Sequence, residues 1–206
     1  MASRDTAGEV TVRRAAPGDA EELARILARA FQDDVLTRWI LPDEDRRRAT
    51  LPAVYAVQLR TWYLQRAVTD VAERAGRVVG CALWNPPDRP SPPPLVQLRQ
   101  LSAALRMGGR GLPRLLAASS ATGAARPTEP HWYLAELATD PEVQGTGVGS
   151  QLVRHGLARA DADRVPAYLE SPDDNIDFYR RFDFIVAALI PIRSGPTAYG
   201  MRRAPG

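Results

Sequence analysis

The sequence predicts an α/β fold, a single domain built on a mixed sheet, and three observations support this prediction. Its 206 residues are enough for one hydrophobic core and too few for two independent ones. Hydrophobic residues make up 45% of the chain and charged residues 25%, which is typical of a globular protein. A strand, a glycine-rich turn, a helix and a second strand follow one another over residues 131–170, which favours a parallel strand pair joined by a crossover helix.

The amino-terminal part of the chain predicts three strands and two helices. The first helix follows Pro17, because Leu23, Ile26 and Leu27 recur at three- and four-residue spacing. A hairpin turn is expected at Ala75-Gly76. The predicted elements are a strand at 9–14, a helix from 17, a helix at 51–65, and strands at 68–73 and 77–84.

The composition changes after this hairpin. We interpret residues 86–130 as an insertion within one domain that spans residues 1–206. Two interpretations remain open, a lid over one face or a loosely packed connector. The predicted parts are a proline-rich stretch at 85–94, a helical pattern interrupted by glycines at 95–116 and a loop at 117–130.

The carboxy-terminal part predicts a second set of strands and helices. Its longest apolar run, residues 184–190, is far shorter than the roughly 20 residues of a membrane span. The first residues are polar and lack a secretory signal, so we expect a soluble cytoplasmic protein with no membrane partner. The predicted elements are a strand at 131–139, helices at 150–160 and 174–182, a strand at 165–170, and a hairpin of 184–190 and 197–202.

Composition also excludes several kinds of chemistry. All 27 basic residues are arginine, which excludes a phosphate-binding loop or a Schiff base that needs lysine. The single cysteine, Cys81, and only two histidines argue against a disulfide or a metal centre, so we expect no metal. The arginines of the insertion lack interleaved aromatic residues, so we expect no nucleic-acid partner. We expect a monomer or a homodimer.

The residues from Gln144 to Gly149 (QGTGVG) form a glycine-rich loop between a predicted strand and a predicted helix. Alternate glycines let successive backbone N–H groups face outward, and a helix N-terminus adds partial positive charge, so the loop can hold a diphosphate. A tight turn without a ligand is the alternative. A dinucleotide fingerprint needs glycine where Ser150 stands, and a Walker loop needs lysine. The loop that holds the pyrophosphate of coenzyme A remains.

Two segments of the chain resemble the GNAT N-acetyltransferase family. Residues 138–149 resemble its acetyl-CoA signature, Q/R-x-x-G-x-G/A, and residues 165–184 resemble its second strand and the helix N-x-x-FYE-x-x-GF. Asp183 stands where relatives have glycine, and we expect it to adopt the left-handed conformation. The resemblance implies a mostly antiparallel mixed sheet, flanked by helices, in which one parallel pair splays at the cofactor site.

By this resemblance, the protein transfers an acetyl group from acetyl-CoA to a primary amine of a small molecule. An aminonucleoside-like antibiotic is one acceptor that it suggests, with a role in antibiotic resistance. The alternatives are a protein or peptide amine acetyltransferase and a non-catalytic acyl-CoA-binding sensor. The expected cofactor-binding residues are Leu137, Ala138, Thr139, Gln144, Gly145, Thr146, Gly147, Val148, Gly149, Ser150, Asn175, Phe178 and Tyr179.

Three residues are candidates for proton transfer. Tyr179 can protonate the departing thiolate, because an ordinary phenol keeps its proton at pH 7; the alternative is a core aromatic. Acceptor amines attack only when neutral, so a general base is needed, and both Glu170 and Glu136 are candidates. For either glutamate, the alternative is a salt-bridge partner.

Four further residues are candidates for the acceptor site. Phe31, Asp34 and Trp39 cluster after the first helix, and Trp84 ends a strand that we expect to face the insertion. Aromatic walls with a carboxylate suit a cationic, partly apolar amine. Core packing is the alternative for the aromatic residues.

Overall fold

A computed structural model describes residues 8–89, 91–104 and 111–206 of the chain. In it, seven strands form one sheet in the order β1-β2-β3-β4-β5-β7-β6. Every neighbouring pair is antiparallel except β4 and β5, which run parallel. The single α/β domain with a mixed sheet is therefore confirmed. The strands are β1 (Val10–Arg14), β2 (Val68–Arg74), β3 (Arg77–Asn85), β4 (Trp132–Thr139), β5 (Ala167–Ser171), β6 (Ile185–Pro191) and β7 (Thr197–Arg203).

Helices cover both faces of the sheet. On one face, α1 and α3 pack over the β2–β4 strands around a core that includes Leu27, Leu59 and Leu83. On the other face, α6 and α7 bury Leu152 and Phe184. Within the described ranges, no helix is long and apolar enough to cross a membrane. The helices are α1 (Ala20–Ala30), α2 (Val35–Ile40), α3 (Glu44–Gln58), α4 (Pro94–Ala104), α5 (Gly111–Ala125), α6 (Val148–Asp163) and α7 (Ile176–Arg180).

Two of the predicted elements differ from the structure. The helix predicted at 51–65 begins at Glu44, because the Asp43 carboxylate accepts the Arg46 N–H at 2.8 Å and caps it. The loop predicted at 117–130 is largely helix: α5 continues to Ala125 through a run of alanine, which has high helix propensity. The part of the predicted 95–116 helix at 105–110 lies outside the described residues.

Trp84 does not face the insertion, so its predicted place at the acceptor site is corrected. Its side chain is 0% exposed and lies on the α6 face of the sheet. A Cβ atom on Gly156 of α6 would come within 2.3 Å of the Trp84 ring. Glycine is therefore needed at 156 so that the helix can approach the indole.

Replacing Gly156 with alanine is expected to lower the free energy of unfolding by about 3 kcal/mol, because a methyl group has no room beside a fully buried ring. Gly123→Ala is the matched control, because a Cβ on this residue of α5 meets no atom within 4 Å. The control should be neutral or gain about 0.5–1 kcal/mol. Urea denaturation measures both values, and equal midpoints for the two variants would contradict the packing argument.

Candidate active site

The site begins where β4 and β5 separate. The two strands pair in parallel only from Trp132 and Ala167 to Leu134 and Leu169. Beyond that point β4 continues beside β3, and Glu170 continues beside β7. A register shift between β3 and β4 falls at the same level, as is common beside functional sites. The sheet is therefore split at the carboxyl ends of its parallel pair.

The glycine-rich loop lies at one end of this split. Gly145 and Gly147 have φ angles of 76° and 89°, and a Cβ on either would point into open space. Glycine adopts this left-handed conformation without a steric penalty. Several backbone N–H groups of the loop and of the first turn of α6 have no acceptor in the described part of the chain: those of Gly145, Gly147, Val148, Gly149 and Ser150. Loop and helix end thus form an anion cradle.

A cleft of about 1080 Å³ runs along this cradle. Two residues of the predicted cofactor set lie outside its lining. Ala138 is buried in the core with α1, and the Thr146 hydroxyl donates to the Val143 carbonyl at 2.6 Å. The predicted residues that line the cleft are Leu137, Thr139, Gln144, Gly145, Gly147, Val148, Gly149, Ser150, Asn175, Phe178 and Tyr179.

Sequence reasoning missed two cationic residues of this cleft, Arg38 and Arg181. The Arg181 guanidinium lies 4.9 Å from the centre of the Phe178 ring. Arg181 lies within residues 165–184, the second segment that resembles the family, and it follows the predicted cofactor residue Phe178 by three positions. This position could have identified it. Arg38 offered no such signal, because the short helix α2 was not predicted.

Two further cavities continue from the cleft. A central cavity of about 250 Å³ shares Phe31, Asp34, Asn175 and Tyr179 with the cleft. An outer cavity of about 920 Å³ lies under α4 and α5. Central and outer cavities share Thr122, Tyr133, Ala135 and Glu136. The central cavity therefore shares lining residues both with the cleft at the cradle and with the outer cavity under the predicted insertion.

Tyr179 stands where the cleft meets the central cavity. It is 9% exposed, and its ring packs against Phe178 and Phe184. Its hydroxyl has no hydrogen-bond partner in the described ranges. Burial, and then the negative charge of Glu136, raise the pKa of this phenol above its ordinary value, so it keeps its proton throughout the neutral range.

Glu136 lines both the central and the outer cavity. No hydrogen bond or ion pair engages its carboxyl group in the described part of the chain. Burial is the main cause that raises its pKa to about 8, and the negative charges of Asp34 and Glu170 add to the effect. A carboxyl group with this pKa can take up a proton near neutral pH.

Glu170 is engaged in a local network instead. The Tyr133 hydroxyl donates to its Oε2 at 2.6 Å, and the Arg126 Nη2 donates to its Oε1 at 3.3 Å. The Arg126 guanidinium also lies 3.7 Å from the centre of the Tyr133 ring. Burial raises the pKa of Glu170, although Arg126 and Tyr133 both favour its ionised form. Arg126 follows α5 directly, so this network ties the helical segment to β5.

Three of the four predicted acceptor residues lie at these cavities. Phe31 and Asp34 line both the cleft and the central cavity. Asp34 also accepts the Thr37 N–H at 2.8 Å and so caps α2. Of the three cavities, Trp39 lines only the cleft, and its indole N–H donates to the Ser194 carbonyl at 2.7 Å.

Comparison with known proteins identifies the class of this fold and site. Residues 33–184 match the acetyltransferase (GNAT) family. The chain is 30% identical to a protein from Corynebacterium glutamicum ATCC 13032 described as histone acetyltransferase HPA2 and related acetyltransferase, over 96% of this chain and 97% of that one, with a TM-score of 0.73. The chain therefore belongs to the GNAT family of acetyltransferases.

Two more distant solved structures share the fold. An N-acetyltransferase from Staphylococcus aureus Mu50 is 15% identical, with 93% of this chain and 99% of that one covered and a TM-score of 0.60. A GNAT family acetyltransferase from Brucella melitensis, solved in complex with acetyl-CoA, is 18% identical, with 96% and 89% covered and a TM-score of 0.52. The prediction that Asp183 adopts the left-handed conformation is confirmed, since its φ angle is 64°.

Proposed function

We propose that this protein transfers an acetyl group from acetyl-CoA to a primary amine of a small molecule. One observation carries the proposal: the central cavity is lined by both Tyr179 and Glu136, and it shares lining residues with the cleft at the cradle and with the outer cavity. A proton donor and a proton acceptor are thus exposed to the same small space. Amine acetylation needs both, because the attacking amine loses a proton and the departing thiolate gains one.

The residues at the cradle fit the coenzyme. Free N–H groups at the start of α6 suit its diphosphate, and the space beside Gly145 and Gly147 is open. Because β4 and β5 separate after Leu134, the backbone of β4 near Leu137 is not paired with β5. These backbone groups suit the amide-bearing pantetheine arm. When bound, acetyl-CoA supplies an acetyl group activated as a thioester.

Of the two candidate bases, we assign Glu136. In the described part of the chain its carboxyl group has no hydrogen-bond or ion-pair partner, and it lines the space where the amine would enter. Glu170 has both carboxylate oxygens in hydrogen bonds, so taking up a proton would disrupt a formed network. Glu136 thus accepts the proton that the amine loses as the N–C bond forms, and Tyr179 donates its hydrogen to sulfur as the C–S bond breaks.

The outer cavity accommodates the rest of the acceptor. Its walls come partly from Gln97 of α4 and from Leu115 and Ser119 of α5, so the segment predicted as an insertion lines part of this space. A volume of about 920 Å³ lies within the range of small-molecule sites. An aminonucleoside-like antibiotic is one acceptor of suitable size and chemistry.

A thiol-release assay over a panel of amines tests the proposal. The panel contains aminonucleosides, arylalkylamines and short peptides, and reactions without an amine give the rate of thioester hydrolysis. We expect amine-dependent thiol release and a product heavier than the amine by one acetyl group. Turnover of peptides alone would favour protein acetylation. Acetyl-CoA binding without thiol release for any amine would favour a non-catalytic sensor.

Replacing Gly147 with valine is expected to weaken acetyl-CoA binding by about 2 kcal/mol, roughly 30-fold, because the new side chain would enter the cradle. Isothermal calorimetry measures the affinity. Valine at a φ of 89° also strains the backbone. Gly76→Val therefore serves as control: Gly76 has a φ of 74°, and open space around its Cβ position, but lies in the β2–β3 turn.

Both glycine variants should lose similar stability, and only the Gly147 variant should lose affinity. Equal affinity of the two folded variants for acetyl-CoA would remove the cradle from the binding site.

A further inference from the structure

Acidic residues outnumber basic ones in the lining of the central and outer cavities. Among the described residues that line the central and outer cavities, Arg126 is the one arginine, against four acidic residues. Its guanidinium is already held by Glu170 at 3.3 Å and by the face of the Tyr133 ring. The acidic residues are Asp34, Glu129, Glu136 and Glu170. The lining thus carries a surplus of negative charge.

The partners of these acids decide where the surplus lies. Glu129 is paired with Arg202 at 2.8 Å, at the outer end. Glu170 is paired with Arg126. Asp34 and Glu136 have no cationic partner in the described part of the chain. The uncompensated acids therefore border the central cavity, where the reacting amine would sit.

The remaining walls of the outer cavity are mainly apolar or neutral. Val54, Tyr63, Leu115 and Leu116 offer apolar surface, and proline residues add to it. Neutral amide groups come from Gln58, Asn85, Gln97 and Gln100. Such a space favours an apolar or aromatic body that carries neutral hydrogen-bonding groups.

We propose that the acceptor is a primary amine with an apolar body and no carboxylate or phosphate next to the amine, and that free amino acids are rejected. This inference rests on the proposed function and specifies its substrate class. A cationic amine is attracted by Asp34, and also by Glu136 once that carboxyl group is ionised near pH 8. A carboxylate held a few ångströms from the amine would be repelled by the same acids. Among the described residues that line the central and outer cavities, the one arginine that could attract it, Arg126, is already engaged.

The test compares acceptors that differ only at the group beside the amine. Phenylalaninamide and 2-phenylethylamine lack the carboxylate that phenylalanine carries, while all three share the aromatic body. With saturating acetyl-CoA at a pH just above 8, where Glu136 is ionised, kcat/KM for phenylalaninamide and for 2-phenylethylamine, whose amine is no less basic than that of phenylalanine, should both exceed that for phenylalanine by about 100-fold or more. Calorimetric titration of the same compounds into the protein with bound coenzyme A should give the same order of affinity, independently of turnover.

Asp34→Asn tests the acidic wall itself. Asparagine can still accept the Thr37 N–H and cap α2, so the variant removes charge with little change in shape. The preference for phenylalaninamide over phenylalanine should fall several-fold. Asp33→Asn is the matched control, because the Asp33 side chain is 85% exposed and lines only the cleft; it should leave the preference unchanged.

The outcomes separate this inference from the proposed function. Acetylation of phenylalanine within tenfold of its amide would overturn the inference and leave the acetyltransferase proposal standing. A preference for phenylalanine that Arg126→Gln abolishes would also overturn it, by making Arg126 a carboxylate anchor. An unaltered preference in Asp34→Asn would exclude the acidic wall as its cause and overturn the argument. Absence of acetylation of every amine, peptides included, would reject the proposed function together with the inference.

Discussion

Glu136→Gln is expected to lower kcat/KM for the amine by on the order of 10³-fold, which corresponds to about 4 kcal/mol of transition-state stabilisation. Glutamine has nearly the same shape but cannot take up the proton that the amine must lose. Acetyl-CoA affinity should be unchanged, because Glu136 lines the central and outer cavities and not the cleft at the glycine loop. Steady-state kinetics with the best amine of the panel, together with calorimetry, measures both quantities.

The pH dependence of the parent protein should follow Glu136. Its pKa is raised to about 8 by burial and by Asp34 and Glu170, and a general base is active only when ionised. We therefore expect kcat/KM to rise with pH up to about 8 and then to level off. The amine has its own titration, so the profile should be measured with two acceptors whose amines titrate at different pH. If the rise of kcat/KM has the same midpoint pH for both acceptors, the titrating group belongs to the enzyme.

Stability gives a second, independent measurement on the same variant. The pKa of Glu136 is higher in the folded protein than the ordinary value of 4.5, so the fold favours the neutral carboxyl. Its contribution to stability is therefore present below about pH 4.5 and is lost as pH rises to about 8. Glutamine has no such loss. The melting temperature of Glu136→Gln should exceed that of the parent by an amount that grows across this interval.

Glu129→Gln is the control for this prediction. Glu129 also lines the outer cavity, but its side chain is 53% exposed and pairs with Arg202. Its replacement should change kcat/KM by less than about threefold and should leave the pH profile in place. If Glu136→Gln retained the rate of this control, the base would have to be sought at Glu170 or in solvent.

Local patterns were enough to predict the sheet and the cradle. The glycine-rich run from Gln144 to Gly149 marks the strand-to-helix turn by itself, since few residues other than glycine adopt its backbone angles. Asp183 follows the same logic, because a short polar side chain tolerates the left-handed region. Such features depend on neighbours in sequence, and the resemblance to the family supplied the role of the parallel pair.

Long-range packing could not be predicted in the same way. Trp84 lies on the α6 face because Gly156, 72 positions later, leaves room for its ring. The network of Glu170 depends on Tyr133 and Arg126, which reach it across the parallel pair and from the end of α5. Neither neighbour can be read from local periodicity. This network is also what distinguishes Glu136 from Glu170, two glutamates that the sequence left as equal candidates.

Tyr179→Phe is expected to lower kcat by on the order of 10²-fold, with little change in acetyl-CoA affinity or melting temperature. The ring that packs against Phe178 and Phe184 is retained. Only the hydroxyl is lost, and it has no partner in the described part of the chain whose bond would be broken. Removing a hydroxyl without a partner has a small effect on stability.

The raised pKa of Tyr179 defines how this proton donor works. A thiol like that of cysteine titrates near 8.5, so the phenol is the weaker acid and stays protonated over the whole assay range. The hydroxyl therefore carries its hydrogen at every pH tested and can donate it to sulfur as the C–S bond breaks. Up to about pH 9, the parent protein should therefore show no alkaline decrease in kcat that is due to ionisation of Tyr179.

Single-turnover kinetics on the phenylalanine variant measures this step without interference from product release. Tyr199→Phe is the matched control, because this tyrosine lies on β7 at the edge of the same core and outside the three cavities. A role in the core alone predicts equal rates for the two variants, with any effect confined to stability. If Tyr179→Phe came within threefold of the parent rate, Tyr179 would be a packing residue and solvent would protonate the thiolate. If only Tyr179→Phe loses rate, the loss is assigned to its hydroxyl acting at the sulfur, since this variant keeps the cavity wall and the ring stacking of the parent protein.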